Sequence, residues 1–168
     1  MKRSICFLLI LTILFSLSAC NNQTIENPLS FYFIQRNYSF GMSDSVIAAE
    51  VIDGTEFTNI SKVLHFYLRG PEDPSLKTPF PPGTYLLDAK TTDDHLTVTL
   101  SDSFAKLTGI SLSLACCALA KTAISFSGVE SVEIQTVSAL LDGEKSIIIN
   151  QSDLIFYDSC PIPVGNAE

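Results

Sequence analysis

Two histidines, the tripeptide Ser101-Asp102-Ser103 and several adjacent carboxylates are the side chains of this 168-residue chain whose types and spacing could do chemistry. A hydrolytic nucleophile would be Ser101 or Ser103 of Ser101-Asp102-Ser103. No Gly-x-Ser-x-Gly turn presents either hydroxyl and no base stands at an identifiable spacing, so the tripeptide reads as a strand-to-loop turn whose hydroxyls bond nearby backbone. Glycoside hydrolysis needs one carboxyl raised by burial and another ionised across a cleft. Glu72-Asp73 and the trio Asp88, Asp93 and Asp94 are loop neighbours and offer no such contrast. Asp93-Asp94-His95 could hold a cation loosely, and His65 lies beside Phe66 on a predicted helix. Neither histidine has a second His or Cys at metal-ligand spacing, and no glycine-rich phosphate loop is present. No catalytic residue, metal or cofactor is expected.

Cys20 carries a different chemistry. It follows Lys2 and Arg3, an apolar run from Ile5 to Phe15, and then Leu17-Ser18-Ala19. A charged start, an apolar stretch short of the roughly 20 residues that span a bilayer, and small residues before a cysteine make an export signal ending in a lipid-attachment site. The segment closely resembles a bacterial lipoprotein signal peptide, with Leu17, Ser18, Ala19 and Cys20 as its lipobox. That resemblance implies a diacylglyceryl group on the Cys20 thiol and cleavage after Ala19. At least two acyl chains would then hold the protein, each buried methylene contributing about 0.8 kcal/mol. An uncleaved anchor or a secreted, non-lipidated form are the alternatives. The expected location is the extracytoplasmic face of a cell membrane, with residues 1–19 as signal and 20–29 as lipid-anchored tether.

What remains, about 150 residues, is a usual size for one domain. The chain carries a net charge of −8, and loss of Lys2 and Arg3 deepens it. Such acidity argues against nucleic-acid partners, whose phosphates need Lys and Arg, and against contact with anionic lipid through the protein surface. The membrane contact is therefore expected through the lipid on Cys20. Cys116 and Cys117 read as small apolar packing residues. A disulfide from one of them to Cys160 is permitted outside the cytoplasm, but adjacent helical cysteines point about 100° apart, so only one of the pair could meet it.

Phe31 and Phe33 alternate with Tyr32 and Ile34 in a first predicted strand, and residues 45–52 form a second. The aromatic run Phe31, Tyr32, Phe33, Tyr38 and Phe40 reads as core, or as a partner-binding patch should Tyr32, Tyr38 and Phe40 stay exposed. Ile60, Val63, Leu64, Tyr67 and Leu68 recur at helical spacing over residues 59–69, with Thr58 or Asn59 as cap and Gly70-Pro71 as stop. Five prolines between Pro71 and Gly83 predict a rigid irregular loop. A hairpin is expected from residues 84–91 and 96–100 around Asp93-Asp94. A buried helix follows over 111–125 with Leu112, Ala115, Leu119 and Ala123 as its densest stripe, then strands at 132–137 and 147–149 and a flexible tail over 159–168. The order predicts an α+β two-layer sandwich, a mostly antiparallel sheet with two helices on one face.

Several short runs carry a resemblance: Tyr67-Leu68-Arg69-Gly70-Pro71, Pro79-Phe80-Pro81-Pro82-Gly83-Thr84, Leu86-Leu87, Leu96-Thr97-Val98-Thr99-Leu100-Ser101, and Ala120-Lys121-Thr122 before the strand at 132–137. Together they resemble the GerMN domain of sporulation and spore-germination lipoproteins, over nearly the whole mature chain and once, with the domain placed at residues 30–158. The residues that carry it, Gly70, Pro71, Pro81, Gly83, Thr84, Leu100 and Ser101, mark a topology and no chemistry. The resemblance implies a non-catalytic domain, similar in topology to ring-building motifs, that works through protein contacts. Expected partners are envelope or sporulation proteins, or further copies of this chain. A solute- or glycan-binding lipoprotein is the alternative and would need a pocket of convergent polar and aromatic groups, for example around Tyr67, Tyr85 or Tyr157.

Overall fold

Leu29, Phe31 and Phe33 fall on one face of an extended segment, and that period of two builds β1 (Pro28–Gln35) with all three buried. The computed structural model describes residues 27–37 and 46–158, the last four by backbone alone. Pro28 and Leu29, assigned to the tether by the sequence, therefore belong to the first strand, because Leu29 has core to pack against. β1 pairs antiparallel with β2 (Ile47–Asp53) on one side and with the two-residue β3 (Leu76–Lys77) on the other. β3 lies inside the proline-rich segment expected to be irregular throughout. Two residues of strand leave no periodicity to read.

The second sheet runs β4 (Leu86–Thr92), β5 (His95–Leu100), β6 (Ser131–Thr136) and β7 (Ser146–Asn150) in that order. β4–β5 and β6–β7 are antiparallel and β5–β6 is parallel. A parallel pair needs a crossover, and the crossover here is a 3₁₀ turn (Asp102–Lys106) followed by a 19-residue helix. The α+β class with mainly antiparallel pairing holds, with the strands shared between two sheets.

Helix α1 (Ile60–Tyr67) starts where the Asn59 side chain accepts the Lys62 N–H at 3.0 Å and stops at Gly70, whose φ is +97°. Helix α2 (Gly109–Ser127) contains the predicted stripe and more. Every residue from Ala115 to Ile124 is buried, because α2 packs on β1 and α1 as well as on β6 and β7. Its length and apolar composition would allow a membrane span. Its burial makes it a core helix instead. A third helix, α3 (Gln151–Asp158), follows β7 directly and was not anticipated; residues 159–168 lie outside the described residues.

Two devices join the layers. Aromatic rings from β1, α1, the proline-rich loop and the 3₁₀ turn form one connected cluster, with the Tyr67 centroid 4.9 Å from Phe33, 5.5 Å from Phe31 and 5.3 Å from Phe80, and Phe80 continuing to Phe104 at 6.2 Å. Beyond the short β3, the edge of β1 is closed by side chains. The Tyr32 N–H donates to Thr122 Oγ1 at 3.0 Å, the Tyr67 hydroxyl donates to the Tyr32 carbonyl at 2.6 Å, and the Ser125 hydroxyl donates to the Ser30 carbonyl at 3.2 Å. These hydroxyls stand where a further strand would otherwise pair. Burial pushes the Tyr67 phenol well above its ordinary range, so it remains a donor.

Candidate functional site

Several of the groups that could have done chemistry, His95, Ser101, Asp102, Asp88 and Asp73, are engaged in local structure. His65 is exposed on α1. His95 lies across the parallel β5–β6 pair from Ser131 Oγ at 2.7 Å and Glu133 Oε2 at 3.4 Å. The Ser146 hydroxyl, and then His95, hold Glu133 below the usual carboxylate range. Asp93 takes a positive φ of 53° in the hairpin turn, and Asp88 accepts the N–H of Ala89 at 3.0 Å. The N–H groups of Glu72 and Asp73 both donate to Glu50 Oε1, at 3.0 and 2.7 Å, while the Asp73 carboxylate accepts Ser75 N–H at 2.7 Å. Glu50, from β2, and Asp73 thus order the start of the proline-rich loop. Among the described residues no three His, Cys, Asp or Glu converge as metal ligands.

Cys20 and its neighbours Leu17, Ser18 and Ala19 lie outside the described residues, as do Tyr38, Phe40 and Cys160. Tyr32 is half-buried, with the Lys121 ammonium 4.8 Å from its ring centroid. Phe31 and Phe33 are core. Cys116 and Cys117 are buried on α2, and desolvation pushes the Cys116 thiol up to about 12, as suits an inert packing residue.

Of the residues carrying the resemblance, the structure brings Pro81, Gly83, Thr84, Leu100 and Ser101 together. Thr84 N–H donates to the Pro81 carbonyl at 3.1 Å, closing the turn before β4. The Ser101 hydroxyl donates to the Gly83 carbonyl at 2.9 Å and accepts the Tyr85 N–H at 3.1 Å, while Leu100 is fully buried. Gly83 has φ of +83°, and a Cβ there would come 3.3 Å from Ser103 Oγ. Glycine suits both the conformation and the space. Gly70 and Pro71 stand apart, at the end of α1.

Asp102 extends this latch to the β6–β7 loop. Its carboxylate accepts the Ser138 N–H at 3.1 Å, the Ser138 hydroxyl at 2.6 Å and the Ala139 N–H at 3.2 Å. The Ser138 hydroxyl, and then the loop amides, hold this carboxyl below its ordinary 3.8. A depressed folded pKa contributes stability that is complete above the unfolded value and lost as pH falls through the folded one. Thermal melts of the parent should therefore fall off more steeply below pH 3.8 than those of Asp102→Asn, and the Ser138 amide resonance should titrate over the same range.

The latch gathers apolar side chains at one end of the domain. Tyr85 (57% exposed) precedes β4, Val137 (68%) and Leu140 (53%) flank the residues held by Asp102, and Ile110 (76%) begins α2. Gly109 N–H reaches Asp142 Oδ2 at 3.4 Å, which sets Ile110 beside the β6–β7 loop. Single exposed apolar residues are ordinary, whereas these four share one end of the domain. β1 enters at the far end of α2, with Ser30 against Ser125, and 19 residues of helix span roughly 28 Å. The four apolar residues are scattered in sequence, and only the 3.6-residue phase of Ile110, which falls on the face of α2 opposite the buried stripe, hints at its exposure.

Next to the tip, α2, the β6–β7 turn and α3 enclose a cleft of ≈ 450 Å³. Leucines and isoleucines line it, and among the described residues no aromatic one does. Tyr67 is buried in the core, Tyr85 lies outside the cleft, and the side chain of Tyr157 is beyond those described.

A family model named Germane and described as sporulation and spore germination matches residues 30–144. Two solved structures from Bacillus subtilis share the fold. The tandem GerMN domains of the sporulation protein GerM are 22% identical with a TM-score of 0.52, covering 76% of this chain and 46% of that one. The first GerMN domain of GerM is 13% identical with a TM-score of 0.56, covering 75% of this chain and 98% of that one. The chain thus matches about half the length of the tandem structure and nearly all of the single domain. No curated protein matches.

Proposed function

The chain belongs to the Germane family of sporulation and spore germination, and from that premise we propose that it is a non-catalytic envelope lipoprotein whose domain works as an interaction module. The observation that carries this reading is the apolar tip formed by Tyr85, Ile110, Val137 and Leu140. Its supports are the involvement of His95, Ser101, Asp102 and Asp73 in local structure and the lipobox pattern that ends at Cys20. In this reading two acyl chains on Cys20 hold the protein on the extracytoplasmic face of the cell membrane. The residues before β1 join the domain at the end of α2 opposite the tip, leaving the tip free to meet envelope or sporulation proteins, or further copies of the chain.

The test is crosslinking of the lipidated protein on intact cells through vegetative growth and sporulation, followed by mass identification of what is captured. Capture should fall roughly tenfold in the Ile110→Glu, Leu140→Glu double variant, as expected when central apolar contacts are lost. Ala49→Glu, on the exposed side of β2, should leave it unchanged. Equal capture by all three proteins would remove the tip from the interface.

A further inference from the structure

The cleft beside the tip has an apolar floor and one sign of charge at its mouth. Leu112, Leu141, Ile147, Ile149 and Leu154 form the floor, and ≈ 450 Å³ is room for one or two side chains. Among the described residues, Asp142, Glu144 and Asp153 are the ionisable carboxylates around it, and no Lys, Arg or His lines it. Asp142 accepts the Gly109 N–H at 3.4 Å, and Asp153 accepts the backbone and side-chain N–H of Asn150 at 3.0 and 2.8 Å. Two of the three acids are thus fixed at the first turns of α2 and α3. Each helix N-terminus offsets about half a charge, which leaves the mouth with about two negative charges. The exposed Ile110 and Leu140 adjoin the lining residues Gly109 and Leu141, so the cleft continues the apolar tip.

We infer that this cleft is a docking groove for a peptide segment of a partner protein that places an aliphatic side chain on the floor and a Lys or Arg beside Glu144. The inference rests on the interaction reading above and names the chemistry of the partner. A neutral apolar occupant would desolvate the carboxylates without compensation, and an acidic or phosphate-bearing one would meet like charge. The chain's overall charge of −8 favours approach of a basic partner at longer range as well.

The probes are two fluorescent peptides of equal length, one with a Leu-Ile pair between lysines and one with the same pair between glutamates. Each is titrated into the lipidated, methyl-labelled protein in nanodiscs of zwitterionic lipid. The lysine peptide should bind saturably and shift the methyl resonances of Leu112, Ile147, Ile149 and Leu154. The glutamate peptide should bind at least about tenfold more weakly, and Glu144→Lys should weaken the lysine peptide about fivefold or more. Absence of saturable binding, equal binding of both peptides, or shifts confined to other methyls would overturn the groove. Binding only after deletion of residues 159–168 would also overturn it, giving the cleft to the chain's own C-terminal segment. Protein capture on cells that persists unchanged in Glu144→Lys would reject the groove while leaving the interaction reading in place.

Discussion

Tyr67→Ala is expected to lower the unfolding free energy by about 3–5 kcal/mol, the range for emptying a buried aromatic site. Tyr67 is fully buried and contacts rings from β1 and from the proline-rich loop, so its loss opens a cavity where the layers meet. Against a typical total of about 5–15 kcal/mol this is a large fraction. A drop of roughly 10–20 °C in melting temperature should accompany it for a domain of this size. Tyr67→Phe keeps the rings and removes only the hydroxyl bonded to the Tyr32 carbonyl, so it should cost about 1–2 kcal/mol. Equal losses in the two variants would mean that the hydrogen bond, and not the aromatic packing, holds the layers.

Thr122→Val should cost about 1–3 kcal/mol although shape and volume are preserved. The Thr122 hydroxyl donates to the Ala118 carbonyl at 3.0 Å and accepts the Tyr32 N–H at 3.0 Å, and Thr122 is fully buried. Valine leaves that N–H without an acceptor, whereas Thr122→Ser retains one and should recover most of the loss. Hydrogen exchange at the Tyr32 amide should quicken in the valine variant alone. If the amide exchanges at the parental rate in both, Thr122 is not what closes the β1 edge.

Much of the fold was legible because local rules and packing agree. Asn59 caps α1 and Gly70 ends it, Asp93 turns the hairpin, and Leu96, Val98 and Leu100 alternate inward as their spacing predicts. What stayed hidden depends on partners remote in sequence. The parallel β5–β6 pair is a consequence of how α2 crosses over, and strand residues carry no mark of direction. The aromatic run that begins at Phe31 supplies only part of the aromatic core, and Phe57, Phe66, Phe80 and Phe104 come from elsewhere to build it. A signal for α3 was present in Asn150-Gln151-Ser152-Asp153, where Asp153 reaches back to the Asn150 N–H as in a capping box. That signal is obscured because the helix follows β7 without a break. The candidate site was the least legible part. Exposure at Val137 and Leu140 is set by the latch from Asp102, which joins residues far apart in the chain.

The most direct test of the interaction reading is a photo-crosslinking amino acid placed at position 140 and, as a control, at position 49, in the lipidated protein on intact cells. Discrete crosslinks to protein are expected from position 140 and none from position 49. Crosslinks absent from position 140 at normal protein abundance, or identical from both positions, would contradict the interaction reading.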